Sequence, residues 1–395
     1  MRPKEIRPGV YWVGAIDWDR RIFDALIPLP DGTSYNSYLI KGSEKTVLIE
    51  TVDPTMQDAL FDNLNELGIK KLDYIIANHA EQDHSGTLPR VLAAYPEAKI
   101  ICTPRCKGLL IDLHVMIPEE KFATVNDKDT VSLGNRTLEF VYTPWVHWPE
   151  TMSTYLREDK ILFSCDFFGS HIASSSLYVT DEWQVHEAAK RYYAEIMMPY
   201  RSQIEKNLHR LEEFHIDIIA TSHGPVYDKP EFITKAYHSW VFDEPRNIVV
   251  LPYTSMHGST RKMVEYFVGA LSQRGVTVQQ FDMVSTDLGK LAVALVEAAT
   301  VVVGTPTVLA GPHPNVVAAV FLANALRPKL KFASIIGSYG WGGKTVEIIS
   351  GMIPNLKVEV LEPVLIKGLP KEADFKALDN LASTIAAKHK ENNFR

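Results

Sequence analysis

Six consecutive residues, His79-Ala80-Glu81-Gln82-Asp83-His84, supply two imidazoles and two carboxylates. One ordinary metal ion does not need four donors from a single loop, so the spacing predicts a pair of ions that share further donors from elsewhere. The preceding run, Tyr74-Ile75-Ile76-Ala77, is apolar and strand-like, which places the cluster where a buried strand opens into a loop. Three other segments repeat that order. His147 stands just past a strand ending near Tyr142, Asp166 follows the run Ile161 to Cys165, and His223 follows Ile218 to Thr221 and precedes Gly224-Pro225. Most of the thirteen histidines are expected at the surface or satisfied in the core. Four strand ends presenting such residues to one cleft are expected to form a ligand set.

Donor hardness bears on which metal. Four imidazoles (His79, His84, His147, His223) and three carboxylates (Glu81, Asp83, Asp166) make a mixed nitrogen and oxygen environment. Dizinc hydrolases of the metallo-β-lactamase type usually show His-x-His-x-Asp-His, with an imidazole where this chain has Glu81. An anion in place of a neutral donor favours a harder ion and its oxidised state, so iron gains over zinc. Asp166 is the natural bridge, because one carboxylate lends an oxygen to each ion. The alternative, a dizinc hydrolase with an accessory second domain, is disfavoured by Glu81.

The elements that must position these residues divide the chain of 395 residues into two expected domains, 1–246 and 247–395. The first carries short strand-like runs, such as Thr46 to Ile49 and Leu138 to Tyr142, with helical stretches such as Gln203 to Phe214. Around Asp243-Glu244-Pro245-Arg246 the pattern changes. From Asn247 onward strands at 248–251, 276–281, 300–303, 332–336 and 358–361 alternate with helices at 261–272, 288–298, 316–325 and 345–352. That alternation predicts a doubly wound parallel sheet. The apolar region Leu291 to Leu309 is broken by Glu297 and Gly304-Thr305-Pro306, so a helix followed by a buried strand is expected there and no membrane span.

Composition narrows the classes further. Hydrophobic content of 46% and charged content of 23% are ordinary for a globular protein, and a net charge of −7 gives no basic surface for nucleic acid. Three cysteines (Cys102, Cys106, Cys165), with no Cys-x-x-Cys pair, argue for a reducing compartment and against iron–sulfur or rubredoxin-type centres. The opening Met1 to Pro8 has no apolar core of a signal peptide, so a cytoplasmic location is expected.

Taken together, His79-x-Glu81-x-Asp83-His84-x-Gly86, Val146-His147-Trp148-Pro149-Glu150-Thr151-Met152 and Ser222-His223-Gly224-Pro225 resemble the flavodiiron protein family. The opening Tyr11-Trp12-Val13-Gly14-Ala15-x-Asp17-Trp18 and Thr33-x-Tyr35-Asn36-x-Tyr38-Leu39 also match its usual start, so the resemblance covers nearly the whole chain. It implies an α/β chain: a metallo-β-lactamase-like αββα sandwich followed by a flavodoxin-like doubly wound parallel sheet. It also implies two iron ions and FMN as cofactors, and reduction of dioxygen to water or nitric oxide to nitrous oxide. An external electron donor is expected, rubredoxin or a reduced deazaflavin, with head-to-tail pairing into a homodimer or homotetramer. His171 and Tyr193 (or its neighbour Tyr192) are the candidate proton or hydrogen-bond donors beside the metals.

The flavin loops are open to a separate reading. Thr254-Ser255-Met256-His257-Gly258-Ser259-Thr260, after the first strand of the second domain, is a hydroxyl-rich turn at a helix N-terminus, suited to a phosphate. It lacks the Gly-Lys-Ser/Thr ending of a triphosphate loop, so a flavin monophosphate fits better than ATP. Pro306-Thr307-Val308-Leu309 and Ser338-Tyr339-Gly340-Trp341-Gly342-Gly343 follow the third and fourth expected strands, where open parallel sheets bind ligands. Trp341 or Tyr339 is placed to stack on the ring. Three departures from the family pattern stand out. Tyr253-Thr254 replaces the start of the usual Asp-Ser-Met loop, Val308-Leu309 replaces Asn-Asn, and Phe23-Asp24-Ala25 stands where many relatives carry Phe-His-Gly. The last bears on substrate preference.

Overall fold

Strands whose successive residues are mostly apolar are expected to be covered on both faces; Tyr74–Ile76, Ile161–Cys165 and Ile218–Thr221 are of that kind, whereas Thr137–Tyr142, with Glu139, alternates. A computed structural model describes residues 2–114 and 116–395. By chain contacts it divides into two units, 1–193 with 200–241, and 194–199 with 242–395.

The first unit contains two large sheets. The seven-stranded sheet runs Lys4–Arg7, Val10–Trp12, Tyr38–Lys41, Thr46–Ile49, Tyr74–Ile76, Lys99–Cys102 and Phe122–Thr124 in spatial order. The five-stranded sheet runs Thr130–Ser132, Thr137–Tyr142, Met152–Leu156, Ile161–Cys165 and Ile218–Thr221. Ile40, Val47, Ile49, Ile76 and Ile101 point to one side of the first sheet and share a core with Phe140, Met152, Ile161, Phe163 and Ala220 of the second. Their neighbours Leu39, Leu48, Ile75 and Ile100 point the other way, into a core with Leu60, Leu64, Leu88, Val91 and Leu110 from three helices. The period of two thus sorts each strand between a sheet-to-sheet core and a helix-covered face. Behind the second sheet, Ile219 lines a cavity of about 340 Å³ with Leu208 and Leu211 of the helix Arg201–Leu211 and Thr234 of the helix Pro230–Phe242. Each fully buried isoleucine of the central strands contributes roughly 2–3 kcal/mol through area removed from water.

The second unit is a mainly parallel sheet in the order Thr277–Asp282, Arg246–Tyr253, Ala298–Val308, Phe332–Tyr339 and Glu359–Val360, with Val364–Lys367 also pairing to Phe332–Tyr339. Val249 and Leu251 face Met263, Phe267, Leu381 and Ile385, whereas Ile248 and Val250 face Leu291, Leu295, Val316 and Val320. Helices therefore cover both faces, as expected of a doubly wound sheet. Three details depart from the sequence expectation. The third strand does not end at Val303 but runs to Val308 and folds back antiparallel onto Gly311–Pro312 through Leu309 and Ala310, both at positive φ. The fifth strand position is shared by two short segments. A 20-residue helix, Glu372–Glu391, closes the unit, a feature the alternation from 247 onward did not include. No helix among the described residues is long and apolar enough to cross a membrane.

Candidate metal centre and flavin loops

The turn leaving the strand Tyr74–Ile76 carries His79 and Glu81, and a one-turn helix, Gln82–Ser85, carries Asp83 and His84. His147 lies beyond Thr137–Tyr142, Asp166 directly follows Ile161–Cys165, and His223 lies beyond Ile218–Thr221. All seven side chains meet in one place. His79 Nε2 and His147 Nε2 lie 3.1 and 3.0 Å from Glu81 Oε2, and 3.5 and 3.6 Å from Asp166 Oδ2. On the other side, His223 Nε2 and His84 Nε2 lie 3.1 and 3.5 Å from Asp83 Oδ2, and 3.3 and 3.1 Å from Asp166 Oδ1. Two half-sites result, and each takes one oxygen of Asp166.

The opposite face of three of these rings decides what the Nε2 atoms are for. His79 Nδ1 is 2.7 Å from Glu150 Oε1, His84 Nδ1 is 2.7 Å from Glu50 Oε2, and His223 Nδ1 is 2.7 Å from the Ser34 carbonyl. Each partner is an acceptor, so each Nδ1 carries the donated proton, and a neutral ring then turns a bare Nε2 lone pair toward carboxylate oxygens. Lone pairs facing lone pairs at 3 Å repel unless a cation lies between them. Both oxygens of Asp83, both of Asp166 and His84 Nε2 are buried without a hydrogen-bond partner. Donor set, convergence and orphaned atoms all fit two cations, and the mixed imidazole–carboxylate chemistry suits iron or zinc.

Without metal, protons take that place. Burial alone would lower His79, but hydrogen bonds to Glu150 and Glu81 and the Asp166 charge push it up to about 10. His223, likewise lowered by burial, is raised to about 9 by Asp166 and Asp83. His84 stands well above its usual value, because the Asp166 and Asp83 charges outweigh burial. Burial favours protonated Glu81 and Asp166, yet the surrounding imidazoles hold Glu81 below the carboxylate range and Asp166 well below it.

A family model described as ODP family beta lactamase matches residues 33–224, the stretch that carries all seven side chains. The chain is 34% identical to a nitric oxide reductase of Moorella thermoacetica over 396 residues, covering 98% of this chain and 99% of the relative. Among solved structures, the rubredoxin oxygen:oxidoreductase of Desulfovibrio gigas superposes with a TM-score of 0.95 at 30% identity, covering 98% and 99% of the two chains. The flavodiiron protein of Giardia intestinalis gives a TM-score of 0.92 at 29% identity, covering 100% of this chain and 99% of its own. The chain belongs to the flavodiiron protein family. Its fold is the metallo-β-lactamase-like sandwich followed by the flavodoxin-like sheet, and it is an oxidoreductase.

Around the metal centre of this flavodiiron protein, His171 is buried with its ring 5.0 Å from His223. Its Nδ1 is 2.9 Å from Thr33 Oγ1, and its Nε2 has no partner. Burial, then the neighbouring His223 charge, keeps it well below the usual value and therefore neutral. Of the two tyrosines, the structure favours Tyr192: its ring lies 4.8 Å from His171 and 6.0 Å from His223. Tyr193 instead packs against Tyr237 and Trp240 at 5.5 and 5.3 Å. Consecutive helical residues point about 100° apart, so only one of the pair can face the centre. Asp24, in the hairpin between Ile22–Phe23 and Ile27–Pro28, has its carboxyl raised by partial burial and by the charges of Glu81 and Asp83. Glu50 and Glu150 carried no role in the sequence reading. The strand-then-ligand order could have singled out Glu50, which directly follows Thr46–Ile49.

In the second unit the three loops lie at the carboxyl ends of their strands. Ser255 Oγ accepts from Gly258 N and Arg261 N at 3.2 Å, and Gly258 at φ 91° starts the helix Ser259–Ser272. Thr254 Oγ1 is buried without a partner, and Thr260 Oγ1 lies 3.2 Å from Ser338 Oγ. His257 and Met256 are exposed. Pro306, Thr307 and Val308 belong to the extended strand, not a free loop, with Leu309 at its turn. Ser338 and Tyr339 end their strand, and Gly340, Trp341, Gly342 and Gly343 form the loop after it. A Cβ on Gly343 would come within 2.6 Å of Thr307 Cγ2, so close packing of two of the loops requires glycine there. Trp341 and Leu309 are 95% and 93% exposed, and Met256 is 48% exposed. Hydroxyls at a helix start beside three uncovered apolar side chains fit a ligand with a phosphate at one end and a flat apolar ring.

Proposed function

We propose that this protein reduces dioxygen to water, nitric oxide to nitrous oxide, or both, at two iron ions held by His79, Glu81, Asp83, His84, His147, Asp166 and His223. FMN in the second unit relays electrons to that centre. The observation that carries the reading is Asp166, whose two oxygens serve two separate sets of donors. A bound iron pair would supply electrons and an open coordination position to one small oxidant. Dioxygen needs four electrons and four protons to become two waters. Two nitric oxide molecules need two of each to become nitrous oxide and one water.

The chain's own residues account for the rest. Three imidazoles are fixed from behind, so their Nε2 atoms stay aimed at the centre. Phe23, whose ring is 5.2 Å from His171 and 6.4 Å from His223, excludes water from that side. With Thr33 Oγ1 donating to His171 Nδ1, His171 Nε2 carries a proton to offer toward an oxygen in the pocket. Tyr192 is the second such donor, in place of Tyr193. Rubredoxin, the donor in the name of the D. gigas enzyme, is the electron source this reading favours. A reduced deazaflavin is the second, and a head-to-tail homodimer in the cytoplasm completes the reading.

The test is anaerobic reconstitution with iron and FMN, chemical reduction, and comparison of turnover on oxygen and on nitric oxide with each donor. Consumption of either gas, lost on Glu81→Ala, is expected. A reduced, iron- and FMN-loaded protein that consumes neither would overturn the proposal. The hydrolase alternative is not favoured, since the named relatives are oxidoreductases.

A further inference from the structure

Two glutamates lie directly behind the metal centre and take no part in it as donors. Glu50 directly follows the strand Thr46–Ile49, and Glu150 lies in the loop beyond His147. Their side chains are 2% and 0% exposed. Each holds one imidazole and one backbone amide of the ligand loop. Glu50 accepts from His84 Nδ1 at 2.7 Å through Oε2 and from Asn78 N at 2.7 Å through Oε1. Glu150 Oε1 accepts from His79 Nδ1 at 2.7 Å and from Ala80 N at 3.1 Å, and its Oε2 is buried with no partner. The two carboxylates therefore grip the chain on both sides of His79, and each serves a different half-site.

Neither forms an ion pair with a lysine or arginine among the described residues; the partners are His84 and His79 alone. A buried carboxylate behind a neutral imidazole is costly. Behind an imidazole bound to a metal cation it is compensated, because part of the ion's charge is delocalised onto the ring it grips. Counting charge supports a purpose for the arrangement. The three carboxylates facing the ions leave a surplus of one positive charge with two divalent ions and three with two trivalent ions. Adding Glu50 and Glu150 moves those values to one negative and one positive, so the buried cluster stays within one charge of neutrality in both states.

We propose that Glu50 and Glu150 are positioning residues, one for each half-site, that fix His84 and His79 with Nε2 toward the metals and centre the charge of the cluster between its reduced and oxidised states. The inference rests on the proposal that these seven residues hold two metal ions, and it assigns a role to residues outside that set. Removing such a partner typically weakens metal binding by about 10–100-fold.

The experiment uses the full chain with two probes, cobalt(II) affinity by competition with a chelator and ⁵⁷Fe Mössbauer spectra during a redox titration. Glu150→Ala and Glu50→Ala should each weaken one cobalt of the two by about 10–100-fold and leave the other near its original affinity. Glu150→Gln keeps the shape and the one oxygen that accepts, and Glu50→Gln keeps the shape and one of its two accepted bonds; both lose the charge. They should retain two irons, with one iron in each variant becoming easier to reduce. Should an alanine variant fail to fold, the glutamine variant of the same position carries the test. Glutamine variants with unchanged iron potentials would overturn the inference, as would alanine variants that shift both metals equally or neither. A wild-type chain that binds no metal would instead overturn the reading on which the inference rests.

Discussion

Loading the metal centre should expel protons in a defined number. In the metal-free protein His79 and His223 are raised to about 10 and about 9, and His84 stands well above its usual value, so all three carry a second ring proton near neutral pH. A metal ion at Nε2 requires that proton to leave. Filling both half-sites should therefore release three protons from these residues. The sign follows directly. A histidine held protonated by its carboxylate neighbours competes with the metal below its own pKa, so overall affinity rises with pH. For three competing protons the rise is about 4 kcal/mol per pH unit, or three decades in the combined constant. The slope should fall to two decades per unit above about pH 9, as His223 gives up its proton, and continue to fall beyond about pH 10, where His79 does so. The assay is titration of chelator-stripped protein with zinc(II) or anaerobic iron(II) in weakly buffered solution containing a pH indicator, repeated across neutral pH. Release of clearly fewer than three protons for each pair of ions, or an affinity flat between neutral and mildly alkaline pH, would refute the argument that protons hold the metal positions.

Other outcomes are expected at single residues. Tyr192→Phe should slow gas reduction by roughly 100-fold or more if its hydroxyl supplies protons, the typical lower bound for a general acid, whereas Tyr193→Phe should leave the rate unchanged; steady-state rates on the preferred gas decide. Thr254→Val removes a buried hydroxyl that has no protein partner. If that hydroxyl binds the flavin phosphate, FMN affinity should fall by about 10-fold or more, the worth of one hydrogen bond to a charged group, as read by fluorescence titration. His389, buried between Thr300 Oγ1 at 2.6 Å and Asn247 Oδ1 at 2.8 Å, is lowered to about 4 by burial. Its unfolded value lies above its folded one, so its contribution is fully present above about pH 6.5 and is lost as pH falls toward 4. After solvent screening the loss is about 1–2 kcal/mol. Thermal unfolding of wild type and His389→Leu should show a shallower acid slope in the variant.

The convergence of the seven side chains was legible because they follow strand-like runs, and hydrophobic runs are the strongest signal a sequence carries. The five-strand alternation of the second unit was readable for the same reason. What escaped depends on distance in space. Glu150 is a ligand's partner only because its loop folds back 71 residues onto His79, and nothing local to Pro149-Glu150-Thr151 says so. Choosing Tyr192 over Tyr193 requires the phase of a helix, which aromatic pairs leave ambiguous. Pro306-Thr307 resembled a turn because proline and glycine punctuate chains. The chain carries Pro306 within a strand because Thr307 and Val308 pair onward with Pro312 and Gly311.

The order of the ligands along the chain has a consequence for biosynthesis. Every donor of the half-site built on His79, Glu81 and His147 has been made once Asp166 emerges from the ribosome, whereas the other half-site waits for His223. A nascent or prematurely terminated polypeptide ending between them has one coordination shell complete and one open on the same bridging aspartate. A fragment stopping short of His223 would therefore keep every donor of one half-site while lacking one donor of the other.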